Sequence, residues 1–349
     1  MRLNFVCPEL QGAGGTETVL KIVINHFSVK YDIRLFLTNI PRKKEWLSDL
    51  NNNVKIYCLK RNGKLNKIFY LTRYFLSSNN KDVFIILGGN ILKYFYYLNK
   101  IFKRNNLLIS WIHFSLTSNL FDPSNLKKAN YNWAISKQIK EQMLNLGINE
   151  NHIELIYNPV KREPALKLPK DKKNIRLLYI GRIMFNGQKN LQLLLKTIKN
   201  IKNVKLDIYG VGEDINKCKK YCVENNLTGK VIWHGWNKNP WDDIVVQPDA
   251  IVLSSIMEGL PMVILEAFSR GIPAIVSRFV GYDNLIIEGV NGYSYKVNDE
   301  RDLAKKILKI REQNLETSKI QNSINGFYED NYFRKLENIL NNYAKKWNI

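Results

Sequence analysis

Two blocks of alternating short apolar runs and amphipathic stretches, separated by a proline-rich charged segment, leave few folds open to this 349-residue sequence. In the first block "LNFVC", "DIRLFLTN", "VKIYCLK", "DVFIILGG" and "NLLISWIHF" have the β-branched and aromatic content of strands. Between them "TETVLKIVINHF" and "KIFYLTRYFL" have helical spacing. The second block repeats the scheme with "IRLLYIG", "VKLDIYG", "KVIWHGW", "DAIVLSS", "PAIVS" and "GYSYKV". Its helices are "NLQLLLKTIKNI", "INKCKKYCVENN", "PMVILEAFSRG" and "DLAKKILKIREQ". Such alternation predicts an α/β fold in which each block is a doubly wound parallel sheet with helices on both faces.

The segment "NPVKREPALKLPKDKKN" (158–174) has three prolines, dense charge and no apolar period, and reads as a linker. The expected division is a first domain over 1–160, a linker over 161–174 and a second domain over 175–330. These would be two Rossmann-like domains facing one another across a cleft. Ligands of such sheets bind beyond the carboxyl ends of the strands, so function is expected in the loops that follow strands.

Composition narrows the classes further. With 45% hydrophobic and 24% charged residues the chain is globular rather than disordered. Cys7, Cys58, Cys218 and Cys222 are scattered apart from one C-x3-C pair, which lacks the second pair of a zinc site, so reduced thiols are expected. The start, "MRLNFVCPEL", meets a proline and an acid before a signal-peptide apolar region develops, which predicts a cytoplasmic protein. The longest apolar run, "IVLSSIMEGLPMVILEAF", holds two glutamates and a proline and is too costly in lipid to span a membrane.

Three loops could hold an anion. In "CPELQGAGGTETVL" Gly12, Gly14 and Gly15 follow the first strand, and Thr16 is placed to cap the next helix. The spacing is neither G-x-G-x-x-G nor a P-loop, and a simple glycine turn stays open. In "YIGRIMFNGQKNL" Arg182 follows a strand and Lys189 starts the next helix. Such cations are often merely solvated, but at this topological position they suit a pyrophosphate, doing the work of a metal ion.

The third loop, in "DAIVLSSIMEGLPMVILEAFSRG", sets Pro261 in the first turn of a helix running to about Arg270, with free amides at Met262 and Val263. If the helical path included Glu258, it would stand about 12 Å along the axis from Glu266, and roughly 80° around it. Glycosidase carboxyls are about 5–9.5 Å apart, so the two acids are not such a pair. They suit the two hydroxylated ends of a nucleotide sugar with its phosphates on the helix N-terminus.

These residues carry a resemblance. Glu258 and Glu266 match the E-x7-E motif of the retaining GT-B glycosyltransferases of family 4, and "GAGGTE", "NPV", "IGR" with "GQKN", and "EGLP" fall in that family's order over nearly the whole chain. "WIHFS", "AISKQIKEQM", "IYNPV", "VIWHGW" and "EGLPMVILEAFSRGIP" resemble the bacterial lipopolysaccharide 1,6-galactosyltransferases within it.

The resemblance implies that Glu266 binds the ribose hydroxyls and Glu258 the donor sugar, while Arg182 and Lys189 neutralise the pyrophosphate. It further implies that Gly259 and Leu260, with the amides of Met262 and Val263, lie under the phosphates. Gly14 and Gly15 would close over the phosphates from the first domain. The backbone around Trp236 would meet the base, and His113 would lie near the sugar's 6-hydroxyl. For His113 a satisfied core histidine is the competing reading, and it is the reading kept for His26, His152 and His234. Retention of configuration is implied by the family alone. Asp242 and Asp243 do not form a D-x-D motif, so no cofactor or essential metal is expected beyond the UDP-sugar donor itself. The terminal stretch "YEDNYFRKLENILNNYAKKW" is helical, and the family implies that it packs back on the first domain over about 331–349.

The net charge is +22 and uneven, with 24 Lys+Arg against 11 Asp+Glu over 1–165 and 29 against 20 over 166–349. That excess attracts polyanions. "LKRNGKLNKIFYLTRYFL" (59–76) and "KYFYYLNKIFKR" (93–104) interleave cations with aromatics, as an amphipathic helix on an anionic bilayer does, or as a core stripe with a solvated face does. No helix-turn-helix, zinc or RNP pattern specifies nucleic acid. The expectation is a UDP-hexose transferase, galactose favoured and glucose next, peripheral on the inner face of the cytoplasmic membrane. Its acceptor would be a lipid-linked or surface glycan such as the lipopolysaccharide core. The alternatives are capsule, exopolysaccharide or glycoprotein synthesis, a non-catalytic nucleotide-sugar-binding subunit, and a nucleic-acid-binding protein.

Overall fold

The computed structural model describes residues 1–10, 14–39, 44–117, 121–168, 173–279 and 285–348. Gly12 and part of the expected linker, 169–172, lie outside the described residues. The chain forms two compact units, Met1–Pro159 together with Asp330–Ile349, and Val160–Glu329.

The first unit has seven strands: β1 (Arg2–Cys7), β2 (Asp32–Leu37), β3 (Lys55–Cys58), β4 (Asp82–Ile86), β5 (Leu107–Ile112), β6 (Tyr131–Ala134) and β7 (Ile153–Leu155). Their order is β3-β2-β1-β4-β5-β6-β7 and every pairing is parallel. Its crossover helices are α1 (Gly15–Ser28), α2 (Lys64–Leu76), α3 (Gly89–Ile101) and α4 (Lys137–Asn145). The continuous apolar runs of β4 and β5 are buried on both faces, as a sheet covered by helices on each side requires. β6 and β7 carry little of that signal. β6 is four residues long with Asn132 inside it, held by a 2.5 Å hydrogen bond from Ser110 Oγ, and β7 is three residues.

The second unit has β8 (Ile175–Ile180), β9 (Val204–Tyr209), β10 (Val231–Gly235), β11 (Ala250–Leu253), β12 (Ala274–Ser277) and β13 (Gly292–Tyr295), ordered β10-β9-β8-β11-β12-β13 and again all parallel. Its helices are α5 (Leu191–Lys199), α6 (Ile215–Glu224), α7 (Met262–Ser269), α8 (Glu300–Glu312) and α9 (Thr317–Asn322). Leu177, Leu194, Leu206, Val252, Ile275 and Leu303 meet in its core.

The closing helix α10 (Glu329–Trp347) supplies aromatics to the first unit. Tyr343 stacks on Tyr131 at 3.9 Å, and Phe333 on His26 at 3.6 Å. His26 also bonds Glu337 at 2.9 Å, and His152 bonds the Asn130 carbonyl at 2.6 Å, so both histidines serve the fold. No helix of the described residues is long and apolar enough to cross a membrane.

Candidate functional site

In each sheet the strand order reverses once, between β1 and β4 in the first and between β8 and β11 in the second. Crossovers leave such a point in opposite directions and open a crevice at the strand ends. In the second unit the loops beyond β8 and β11 are stitched together. The Ile256 amide donates to the Gln188 carbonyl at 2.8 Å, Gln188 Nε2 to the Met257 carbonyl at 3.1 Å, and Ser254 Oγ to the Lys189 carbonyl at 2.9 Å.

This stitching brings Lys189 and Glu258 into contact: Nζ lies 2.6 Å from Oε1, with both side chains mostly buried. Ser255 Oγ donates to the same Oε1 at 2.6 Å, and Ser277 at the end of β12 bonds the Ser255 carbonyl. Glu258 Oε2 accepts from no described residue, which leaves one carboxylate oxygen for a ligand. Burial first, then the charge of Glu258, pushes the Tyr179 hydroxyl above its usual pKa, and this neutral hydroxyl donates to the Arg182 carbonyl at 2.8 Å.

Arg182 itself is exposed directly beyond β8, and its guanidinium makes no ion pair with a described residue. Its backbone is firmly placed. The Gly181 amide donates to the Tyr209 carbonyl and the Ile183 amide to the Val211 carbonyl, each at 3.0 Å. A Cβ on Gly210, at φ +144°, would collide with the Gly181 carbonyl, and one on Gly212 with the Ile183 carbonyl.

The turn before α7 corrects two expectations. The helix starts at Met262 and not before Glu258, because Pro261 has an extended ψ of 103° and forms the N-cap. The 12 Å helical spacing therefore does not describe Glu258 and Glu266. Glu258, Gly259 and Leu260 instead form a non-helical turn leading to the helix. The helix also ends at Ser269, with Arg270 as its C-cap. Pro261 offers no side-chain cap, and the amides of Met262 and Val263 have no hydrogen-bond partner among the described residues. Lys189 likewise sits two residues before α5 rather than at its start, since Asn190 breaks the path with a left-handed φ of 46°.

Glu266, on α7, accepts a hydrogen bond from Trp241 Nε1 at 2.9 Å. Burial raises its pKa above the usual carboxylate range, opposed by the Trp241 bond and the charge of Arg270. Arg270 lies over the Trp241 ring at 4.7 Å and 3.6 Å from Glu163, which completes the support. Trp236, following β10, is exposed. His234 is tied to Asp207 at 2.7 Å and stacked on Tyr209 at 4.2 Å, a structural role.

Gly14, Gly15 and His113 belong to the first unit. Thr16 does not cap α1. The cap is Gly14, whose extended backbone lets its amide donate to Glu17 Oε2 at 3.1 Å, while Thr16 falls inside the first turn. His113, just beyond β5, packs its ring 4.5 Å from that of Trp111. Its Nε2 is buried without a partner among the described residues, and burial lowers its pKa to about 3, so the imidazole is neutral.

The residues missed from sequence are the supports: Ser254, Ser255, Ser277, Trp241 and Arg270. Their signals were present in the "SS" closing a strand and in the tryptophan of "NPWDD", where the acids drew the attention.

Comparison with known proteins agrees with this geometry. The family model for glycosyl transferases group 1 matches residues 160–327. The chain is 31% identical to the lipopolysaccharide 1,6-galactosyltransferase of Escherichia coli (strain K12) over 97% of this chain and 98% of that protein. It is 30% identical to the protein of the same name from Salmonella typhimurium, with the same shares covered. The solved structure of the lipopolysaccharide outer core galactosyltransferase WaaB, in its apo form, matches with a TM-score of 0.86 at 30% identity, over 97% of this chain and 99% of that one. Anabaena Alr3699/HepE in complex with UDP shares the fold with a TM-score of 0.82 at 17% identity, over 98% of this chain and 100% of that one.

Proposed function

We propose a reaction for a chain that belongs to the glycosyl transferases group 1 family and is an enzyme of GT-B fold. It moves a hexose, galactose favoured and glucose next, from a UDP-sugar to the lipopolysaccharide core or a similar surface glycan. It does so with retention of configuration, without an essential metal ion, and at the inner face of the cytoplasmic membrane. The names of its relatives favour galactose and that acceptor, and the UDP complex of the HepE structure favours the donor class.

The observation that carries the reading is the Lys189–Glu258 pair at the β8–β11 reversal, beside the uncapped start of α7. Breaking the sugar–phosphate bond leaves negative charge on UDP and positive charge on the sugar. Lys189, Arg182 and the Met262 and Val263 amides stabilise the first of these charges as preorganised donors, which is why no metal is required in this reading. Glu258 Oε2 takes a sugar hydroxyl while Lys189 and Ser255 hold the other oxygen. Gly259 and Leu260 shape the turn under the phosphates, Glu266 takes the ribose hydroxyls, and the backbone at Trp236 meets the base. From the first unit, Gly14 and Gly15 are assigned to the phosphates and the neutral His113 to the 6-hydroxyl.

The test is release of UDP from UDP-Gal, UDP-Glc and UDP-GlcNAc, and of GDP from GDP-Man, with lipopolysaccharide core acceptors and with chelator present. UDP-Gal is expected to be used, and Glu258→Ala to lower turnover at least about a hundredfold. Turnover of no donor, or parental turnover by the variant, would sink the reading.

A further inference from the structure

We propose that the outer face of α2 and α3 lies on an anionic lipid bilayer. This inference does not depend on which sugar is transferred. Both helices cross from left to right in the first sheet, α2 from β3 to β4 and α3 from β4 to β5, so right-handed crossovers set them on one face. They are joined there by a 2.5 Å hydrogen bond between Thr72 Oγ1 and the Tyr94 hydroxyl and by the edge-on packing of Phe75 against Phe95.

Each helix has a second apolar side that the sheet does not use. Tyr70, Leu71 and Phe75 face the core of α2, and Ile91, Leu92 and Phe95 that of α3. Away from the core, Leu65 is 82% exposed, Phe69 70% and Ile101 68%, with Leu76 and Tyr97 also exposed. Leu65, Phe69 and Leu76 are spaced four and seven apart, which aligns them along one side of the helix. Exposed leucine and phenylalanine in a row are costly in water and mark an interaction surface.

Charge decides the occupant. Between Asp49 and Asp122 the sequence holds 11 lysines and arginines and one acid, Asp82. Asp82 is buried and bonded to Arg2 at 3.2 Å, so it does not offset the surface charge. Lys64, Arg73, Lys93 and Lys100 are exposed on the two helices. A second copy of this chain would set like charge against like. Nucleic acid would match the cations but not the leucine, isoleucine and phenylalanine side chains between them. An anionic bilayer takes both, the apolar side chains entering the headgroup–acyl boundary while the cations meet lipid phosphates.

The experiment is co-sedimentation of the whole protein with vesicles of phosphatidylcholine alone and of phosphatidylcholine mixed with phosphatidylglycerol, at low and high salt. Binding to the mixed vesicles at low salt is expected, weakening as salt screens it. The pair Leu65→Ser and Phe69→Ser should lower partitioning about tenfold and Lys64→Gln about fivefold, with the unfolding midpoint and UDP binding unchanged. Equal binding to neutral vesicles, no binding, or unchanged partitioning of the variants would overturn the proposal. So would a dimer in light scattering that Phe69→Ser abolishes, since the face would then join two copies. None of these outcomes bears on donor use, which the UDP-release assay reads separately.

Discussion

Helices α1 and α7 both follow strands that border a sheet's reversal point, yet their first turns are finished differently. At α1 the Gly14 amide is already taken by Glu17, and nearby strand β5 ends on an imidazole that burial keeps neutral. At α7 no side chain caps the helix, and the adjoining loops carry an ion pair. The first cluster satisfies itself and stays neutral, whereas the second keeps donors and charge in reserve. A glycine-rich loop before a helix is therefore not enough to make an anion site, because its amides must also be free of the chain's own caps. A phosphate meeting Gly14 must first displace Glu17.

The contrast breaks most readily at Lys189. Lys189→Met should lower turnover about a hundredfold and weaken UDP binding. It should also cost about 3 kcal/mol of stability, because Glu258 is left mostly buried without its cation. Wild-type UDP affinity in this variant would mean that the charged cluster is structural.

The neutral cluster is probed by pH. The pKa of His113, about 3, lies below the ordinary 6.5, so the unfolded chain binds the extra proton. Its contribution is intact above pH 6.5 and is lost as pH falls from there toward 3, by about 1.4 kcal/mol per pH unit. His113→Asn should remove about 2 kcal/mol of the stability lost between about pH 7 and about pH 5 in denaturant titrations. Parallel losses in parent and variant would place the histidine in water.

The smallest effect belongs to α1. Glu17→Ala should cost about 1 kcal/mol in thermal unfolding and leave turnover within about twofold. A gain in UDP affinity would show instead that α1 is an anion site which its own glutamate blocks, and the two helix starts would become equivalent.

The two parallel sheets were legible because strands buried on both faces leave continuous apolar runs, as in "DVFIILGG" and "DAIVLSS". β6 and β7 were not, since an asparagine satisfied by a serine on the neighbouring strand does not read as β structure from local sequence. At the site, the contact of Lys189 with Glu258 joins residues 69 positions apart and follows from loop stitching that no local pattern encodes. The α7 start was misread for a local reason. Proline is common both as a first helical residue and in the extended link before a helix, and only backbone angles separate the two. The aromatics of 59–76 divided between both readings, Tyr70 and Phe75 going to the core and Phe69 to solvent.

The collar of backbone that Gly210 and Gly212 form against Gly181 and Ile183 limits how this enzyme can be re-engineered. Any side chain at either glycine would push directly on main chain, with no flexible neighbour to yield. A library aimed at new donors gains nothing at these positions. Arg182, clamped on both sides, can vary its reach only through its own side chain, so diversity is better introduced in the turn from Ile256 to Leu260.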